Sequence, residues 1–390
     1  MPVKLGLERI GRLWPRKLKG VRVGLLVHPA SVTRGLRHAS DIFEDARQCA
    51  LTALFGPQHG IRGETQDNML EWEGFKDPAT GLPVFSLYGR TRKPGKTMLK
   101  GIDALVVDLQ DVGVRYYTFI WTMDLAMEAC SEAGKAVVVL DRPNPIGGHK
   151  VEGPALDPDY ASFVGRRPLP VRHGMTIGEI GLYLKKSFYP SLDLHIIPMK
   201  GWMRKMWFDE TGLPWVMPSP NMPTLQTAVV YPGMCLLEGT HLSEGRGTTR
   251  PFELFGAPHI APERLVKRLG EFKLPGVLFR PLYFQPTFQK HKGRLCGGAQ
   301  LHVMDRERFR PFKTGVAVLK AVREIYPHKP LWKKPPYEYE TRKMPIDILA
   351  GTDRLRAGID GGESLAHMEA WWDEECRAFN KTRKRFLLYG

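Results

Sequence analysis

Cysteine is scarce in this chain: five residues (Cys49, Cys130, Cys235, Cys296, Cys376) among 390. Their number is odd, their spacing is wide, and none forms a C-x-x-C pair. That argues against a disulfide framework and a cysteine-based zinc site, and leaves buried reduced thiols. The twelve histidines include no H-E-x-x-H, and no spacing asks for a metal. Glycine is plentiful, yet absent where a nucleotide would need it. After the first apolar run, Val27-His28-Pro29-Ala30-Ser31 has no glycine for close approach to a pyrophosphate. The stretch from Gly89 to Lys96 places five residues between its glycines, where a phosphate loop needs four. No apolar run approaches the roughly 18 residues of a membrane span. The opening Met1-Pro2-Val3-Lys4-Leu5-Gly6 has no apolar leader segment. The expectation is a cytoplasmic protein without membrane contact. There is no internal repeat and no low-complexity tract.

Apolar residues make up 43% of the chain, enough for a sizeable core. A length of 390 suggests two domains, read here as 1–258 and 259–390. Basic residues outnumber acidic ones, 57 to 41, which fits an anionic partner. A nucleic-acid binder would interleave basic residues with exposed aromatics. Only Lys333-Lys334-Pro335-Pro336-Tyr337 and Lys381-Thr382-Arg383-Lys384-Arg385 offer that, and the second reads as the solvated end of a helix. Nucleic acid is therefore not the expected partner.

Five strands are read in the first 140 residues: Val21 to Val27, Leu51 to Phe55, Val84 to Leu87, Ala104 to Leu109 and Ala136 to Leu140. Helix-like stretches alternate with them (Ser40 to Ala50, Thr97 to Lys100, Thr118 to Ala133), which predicts an α/β fold with a mostly parallel sheet. Thr176 and Glu179 form a capping box that opens a helix through Phe188. Leu192 to Ile197 reads as a sixth strand. From Trp202 to Pro258 seven prolines break the pattern, and a long loop of this kind is usually functional. Beyond it, a helix (Pro262 to Phe272), strands (Val277 to Phe284, Ala299 to Val303) and helices (Gly315 to Ile325, Ser364 to Phe379) predict a smaller α+β domain.

Every early strand runs straight into a polar cluster. Parallel sheets bind ligands beyond the carboxyl ends of their strands, so these clusters read as one site. Gly60 and Gly63 allow tight turns that present His59 and Glu64. Asp108 lies within the most buried strand and must find partners. Asp111 and Arg115 follow it. Asp141-Arg142-Pro143-Asn144-Pro145 fixes Asn144 between prolines. Arg172 and His173 precede the positive end of the capped helix, a seat for an anion. Glu179 is explained as the cap. Pro218-Ser219-Pro220-Asn221-Met222-Pro223 and Glu244-Gly245-Arg246-Gly247-Thr248-Thr249 read as substrate walls.

Taken in order, these segments resemble the exo-β-N-acetylmuramidase family, glycoside hydrolase family 171. The likeness rests on Phe55-Gly56-Pro57-Gln58-His59-Gly60, Ser86-Leu87-Tyr88-Gly89, Asp108 to Thr118, Asp141 to Pro145, Val171 to Glu179, Pro218 to Pro223 and Ser243 to Glu253, and spans nearly the whole chain. It implies a Rossmann-like N-terminal domain, a smaller C-terminal domain, a site between them and no cofactor. The implied substrate is a muropeptide or amino-sugar disaccharide that loses N-acetylmuramic acid from its non-reducing end. One position departs: the family usually reads Pro-Glu-His-Gly where this chain has Gln58. A catalytically impaired protein that binds anionic glycans is the alternative. Family members are often exported.

Glycoside hydrolysis needs a protonated acid at the leaving oxygen and usually a second carboxylate. With Gln58 in place of the family glutamate, Glu64 is expected as the acid, raised by partial desolvation. Asp111 is expected as the second carboxylate, with Glu244 next. Arg115, Arg142, Arg172 and Arg246 are candidates to grip the lactyl carboxylate of muramic acid. His59, His173, Asn144, Asn221 and Tyr117 would bind hydroxyls, the acetamido group or the acid itself, with His59 counted among the catalytic residues and Gln58 among those that bind substrate.

Overall fold

The computed structural model describes residues 2–65 and 70–390. Its main sheet is built from β1 (Arg22–Val27), β2 (Ala50–Gly56), β3 (Phe75–Lys76), β4 (Pro83–Ser86), β5 (Ala104–Asp108), β6 (Ala136–Leu140) and β9 (Leu194–Ile197). The order is β3-β4-β2-β1-β5-β6-β9, and only the short β3 runs antiparallel. Counting the parallel strands alone gives the order 3-2-1-4-5-6, the doubly wound Rossmann arrangement that the sequence implied. A two-stranded hairpin joins β7 (Glu152–Ala155) to β8 (Pro170–Arg172). A second sheet of β10 (Leu254–Ala257), β12 (Cys296–Val303) and β11 (Val277–Phe284) is antiparallel and belongs to the smaller α+β region.

The central strands are buried on both faces, so they read as unbroken apolar runs. One face carries Leu26, Leu105, Val107, Val137 and Val139, under the helices Phe119–Glu132 and Ile177–Phe188. The other carries Val23, Leu25, Val106, Val138 and Leu140, against Ile10, Leu18 and Phe43. All five cysteines are buried and free, as expected. Among the described residues no helix is long and apolar enough to cross a membrane.

Several boundaries differ from the sequence reading. The helix expected over Ser40 to Ala50 covers only Ala39–Glu44, because β2 already begins at Ala50. The last helix is longer than expected, Leu365–Arg383, and lies across β7 and the helix Pro311–Ile325. The largest correction lies between Trp202 and Pro258. This stretch contains the helix Leu225–Met234, a 3₁₀ turn at Cys235–Gly239 and the edge strand β10. The helix is apolar all round and buried, so it shows no amphipathic period. Pro232 inside it reads as a breaker.

That helix packs on Pro311–Ile325 by backbone contact. A Cβ at Gly233 would fall 1.9 Å from Pro311 O, and one at Gly315 would fall 2.3 Å from Gly233 O. In an exposed helix Gly→Ala gains about 1 kcal/mol. Here the clash is with backbone that cannot rotate away. Gly233→Ala is expected to lower the unfolding free energy by roughly 2 kcal/mol or more, despite the better propensity. Urea denaturation checks it, and a neutral or stabilising result would contradict this packing.

Candidate active site

The end of β2 supplies the floor of a narrow polar pocket, with Tyr88 from the end of β4 behind it. After β2, His59, Gly60 and Gly63 take φ values of 71°, 82° and 70°, the tight turn expected there. It turns His59 so that Nδ1 donates to Thr65 O at 2.8 Å. Gln58 is buried and held from both sides. Thr118 Oγ1 donates to its Oε1 at 2.7 Å, and its Nε2 donates to the Tyr88 hydroxyl at 3.2 Å. Thr118 sits at the N-cap of Phe119–Glu132 but makes no side-chain cap there. Its hydroxyl is spent on Gln58 instead.

Three further segments form the walls: Tyr117 after β5, Asn221 from the proline-flanked loop, and Arg246 from the glycine-rich loop. The buried helix and its 3₁₀ turn add Tyr231 and Glu238. The segment before Glu340 adds Tyr337 and Glu338. Burial pushes the Tyr117 phenol well above its usual range, so it enters the pocket as a neutral hydroxyl.

Two carboxyl groups face this pocket in opposite electrostatic settings. Glu238 accepts from Arg246 Nη2 at 2.8 Å and from the Tyr337 hydroxyl at 2.8 Å. Burial pushes it up, but the Arg246 charge and these hydrogen bonds prevail and hold it below the usual carboxylate range. Among the described residues, Glu338 accepts one side-chain hydrogen bond, from the Tyr88 hydroxyl at 3.2 Å. Burial and the neighbouring Glu238 charge push it up to about 7, against the opposing pull of Tyr88, Arg92 and Arg246. Two carboxyls driven apart in this way are the signature of an acid beside a base or nucleophile.

Arg246 is itself embedded. Its Nε lies 3.5 Å from Glu244 Oε1, and Lys290 Nζ donates to Glu244 Oε2 at 2.7 Å. Its guanidinium carbon stands 5.0 Å from the centre of the Phe252 ring. Nη1 is buried and has no hydrogen-bond partner among the described residues.

Of the residues expected from the sequence, Gln58, His59, Tyr117, Asn221 and Arg246 meet in this pocket, with Glu244 behind Arg246. Asp111 and His173 form a separate buried pair: His173 Nδ1 accepts from Met175 N, which places its proton on Nε2, 3.3 Å from Asp111 Oδ2. Asp111 Oδ2 also accepts from Gly113 N at 2.6 Å.

The rest are corrections. Glu64 is exposed beside Gly60, so the desolvation expected of it is absent. Arg142 is committed to Asp108, with Nε on Oδ1 at 2.5 Å and Nη2 on Oδ2 at 2.8 Å. Asp108 thus finds the partner its burial demanded. Arg115 donates to four carbonyls, of Pro154, Leu169, Leu349 and Ala350, each at 2.8 Å. Arg172 is buried, donates to Ile146 O and stands over Trp207. Asn144 holds its own turn, donating to Met175 O and accepting from Ile146 N. The anion seat at the start of Ile177–Phe188 is already filled by Asp141, which accepts from Gly178 N and Thr176 Oγ1 at 2.8 Å each. Glu179 is the capping-box partner, as read.

Sequence reasoning missed Glu238 and Glu338. Glu238 had a signal: it ends the almost wholly apolar run from Ala228 to Leu237, and an acid there must be buried and paired. Glu338 had none beyond lying between tyrosines in a proline-containing loop.

Comparison with known proteins covers the whole chain. Residues 23–226 match the family model described as exo-beta-N-acetylmuramidase NamZ, N-terminal, and residues 229–389 match its C-terminal counterpart. The peptidoglycan beta-N-acetylmuramidase NamZ of Bacillus subtilis (strain 168) is 47% identical over 387 residues, covering 99% of this chain and 91% of that protein. Two DUF1343 family proteins from Bacteroides fragilis NCTC 9343 have the same fold. One has a TM-score of 0.90 at 36% identity and the other 0.77 at 31%, each covering 100% of this chain and 99% of its own.

The raised carboxyl makes stability depend on pH. Glu338 binds its proton up to about 7 in the folded state, against an ordinary 4.5. Stability is therefore lost as pH rises between those values. Glu338→Gln carries no such penalty. Relative to the parent, it is expected to gain on the order of 3 kcal/mol between pH 4 and pH 8. Urea denaturation at both pH values tests this, and a pH-independent difference would contradict the assigned burial.

Proposed function

This chain belongs to the exo-beta-N-acetylmuramidase NamZ family, and we propose that it is an exo-acting glycoside hydrolase that removes N-acetylmuramic acid from the non-reducing end of peptidoglycan fragments. The observation that carries this reading is the pair Glu238 and Glu338 in one buried polar pocket. Glycoside hydrolysis passes through an oxocarbenium-like transition state. An ionised carboxylate stabilises the developing positive charge or activates what attacks it. A protonated one serves the leaving oxygen. Glu238 meets the first requirement, because Arg246 and Tyr337 hold it ionised. The substrate's own acetamido group is a second candidate nucleophile, and Tyr117 and Asn221 are placed to orient it.

Muramic acid carries a lactyl carboxylate that glucosamine lacks. Of the four arginines considered from sequence, only Arg246 lines the pocket, and its Nη1 has no hydrogen-bond partner among the described residues. A guanidinium offering an unused N–H in a dry site is a strong carboxylate donor. We assign lactyl recognition to Arg246, with His59 and Gln58 on the sugar hydroxyls. The pocket is enclosed by side chains from both regions of the chain, which suits the terminal sugar of a glycan rather than an internal one.

The alternative, recognition without hydrolysis, follows from Gln58 standing where the family has glutamate. Incubation with a chromogenic N-acetylmuramide beside the matching glucosaminide separates the readings. The expected result is release from the muramide alone. Saturable retention with no product would favour the binding protein, and cleavage of the glucosaminide alone would remove lactyl recognition. Arg246→Lys keeps the charge but loses the fork. It is expected to reduce the muramide-to-glucosaminide ratio of kcat/KM at least about tenfold, which a purely structural role would leave unchanged.

A further inference from the structure

Resting on that reading, we infer that Glu338 is the general acid of this enzyme, taking the place of the glutamate that Gln58 has replaced. Three observations converge on it. Glu338 is 4% exposed and lines the same pocket as Gln58. A continuous hydrogen-bond chain joins the two positions: Thr118 Oγ1 to Gln58 Oε1, Gln58 Nε2 to the Tyr88 hydroxyl, and that hydroxyl to Glu338 Oε2. Gln58 is locked in one amide orientation: Thr118 Oγ1 donates to its Oε1, and the Tyr88 hydroxyl, whose own proton goes to Glu338, accepts from its Nε2. An amide so held has no proton to transfer. The carboxyl at the far end of the chain has one.

The backbone supports the assignment. Glu338 and Tyr339 take φ values of 45° and 69°, a region that residues other than glycine rarely occupy. Strain of this kind persists only where surrounding contacts enforce it, and it gathers at functional sites. Here the enforcing contacts are aromatic and cationic: the Tyr88 ring against Tyr339, and Arg92 stacked 3.6 Å from the Tyr339 ring centre. The charged and titratable groups around Glu338 are Glu238, Tyr88, Tyr337, Tyr339, Arg92, Arg246 and His59. Burial and Glu238 favour the protonated form, and the two arginines and the Tyr88 hydroxyl oppose it.

The step balances simply. The bond from the anomeric carbon to the bridging oxygen breaks with its electron pair on that oxygen, which takes the proton of Glu338. Water then supplies hydroxyl to the anomeric carbon, and the proton it sheds restores the two carboxyls to their starting state. No oxidant, metal or cofactor enters.

The test compares leaving groups. On a muramyl-glucosamine disaccharide, whose leaving sugar needs a proton, Glu338→Gln is expected to lose roughly 10²-fold or more in kcat. On a dinitrophenyl muramide, whose leaving group needs none, the loss is expected to stay within several-fold. Gln58→Glu in the Glu338→Gln background should restore at least about tenfold of the disaccharide rate. Tyr88→Phe removes a hydrogen bond that favours ionised Glu338, so the alkaline limb of kcat/KM is expected to move to higher pH. It also serves if Glu338→Gln fails to fold. Disaccharide turnover by Glu338→Gln within twofold of the parent overturns the assignment, as do equal losses on both substrates or an unmoved limb in Tyr88→Phe. A parent protein inert on every muramide overturns the hydrolase reading and the acid role together, whereas an active parent with an unaffected variant overturns the acid role alone.

Discussion

The guanidinium of Arg115 is the tie on which the site's shape depends. It follows the most buried strand and is itself fully buried. Its donors reach two carbonyls of the β7–β8 hairpin region, Pro154 and Leu169, and two at the end of the helix Pro345–Ala350. Four of its five N–H donors end on these carbonyls, and a buried charge left without such partners is costly, so the carbonyls must stay where they are. One residue therefore fastens the loop that carries Tyr117 and Thr118 to the hairpin and to the C-terminal helices. The segment bearing Tyr337 and Glu338 runs just ahead of that helix.

The strand-end layer follows the same logic. Asp108 pairs with Arg142, Asp111 with His173, and Asp141 with the start of the capped helix, all beyond the carboxyl ends of the sheet. They make a buried polar platform. The pocket beside it differs in leaving two acids imperfectly matched: Glu238 with abundant donors, Glu338 with few. Burial and the neighbouring Glu238 charge push Glu338 up to about 7 in this pocket, and burial beside Glu179 pushes Asp141 of the platform up to about 7 as well.

A substitution at one position need not abolish a reaction if the pocket holds another acid within reach of the same hydrogen-bond chain. The amide of Gln58 preserves the shape and the connections to Thr118 and Tyr88. What it gives up is the proton. On the proposed assignment, the family likeness and the departure that the resemblance implies at Gln58 are compatible, with the acid function on Glu338.

The amino-acid sequence alone determined the mostly parallel α/β sheet, since apolar runs, intervening helices and the Thr176–Glu179 cap are local patterns with local causes, while the doubly wound strand order is a tertiary fact. It also singled out Gln58, His59, Tyr117, Asn221 and Arg246, the first three on loops that trail parallel strands and the last two on a proline-flanked and a glycine-rich loop, and all five line one pocket. It did not reveal the helix Leu225–Met234, whose burial on all sides erases the period that would announce it. Nor did it separate the arginines. Arg115, Arg142 and Arg172 have the same chemistry as Arg246, and only tertiary burial decides which partners each one meets. Glu64 and Glu338 make the same point in reverse. Glu64 sits in a recognisable motif yet faces solvent. Glu338 sits in none, and acquires its proton only because folding removes water from around it and sets Glu238 beside it.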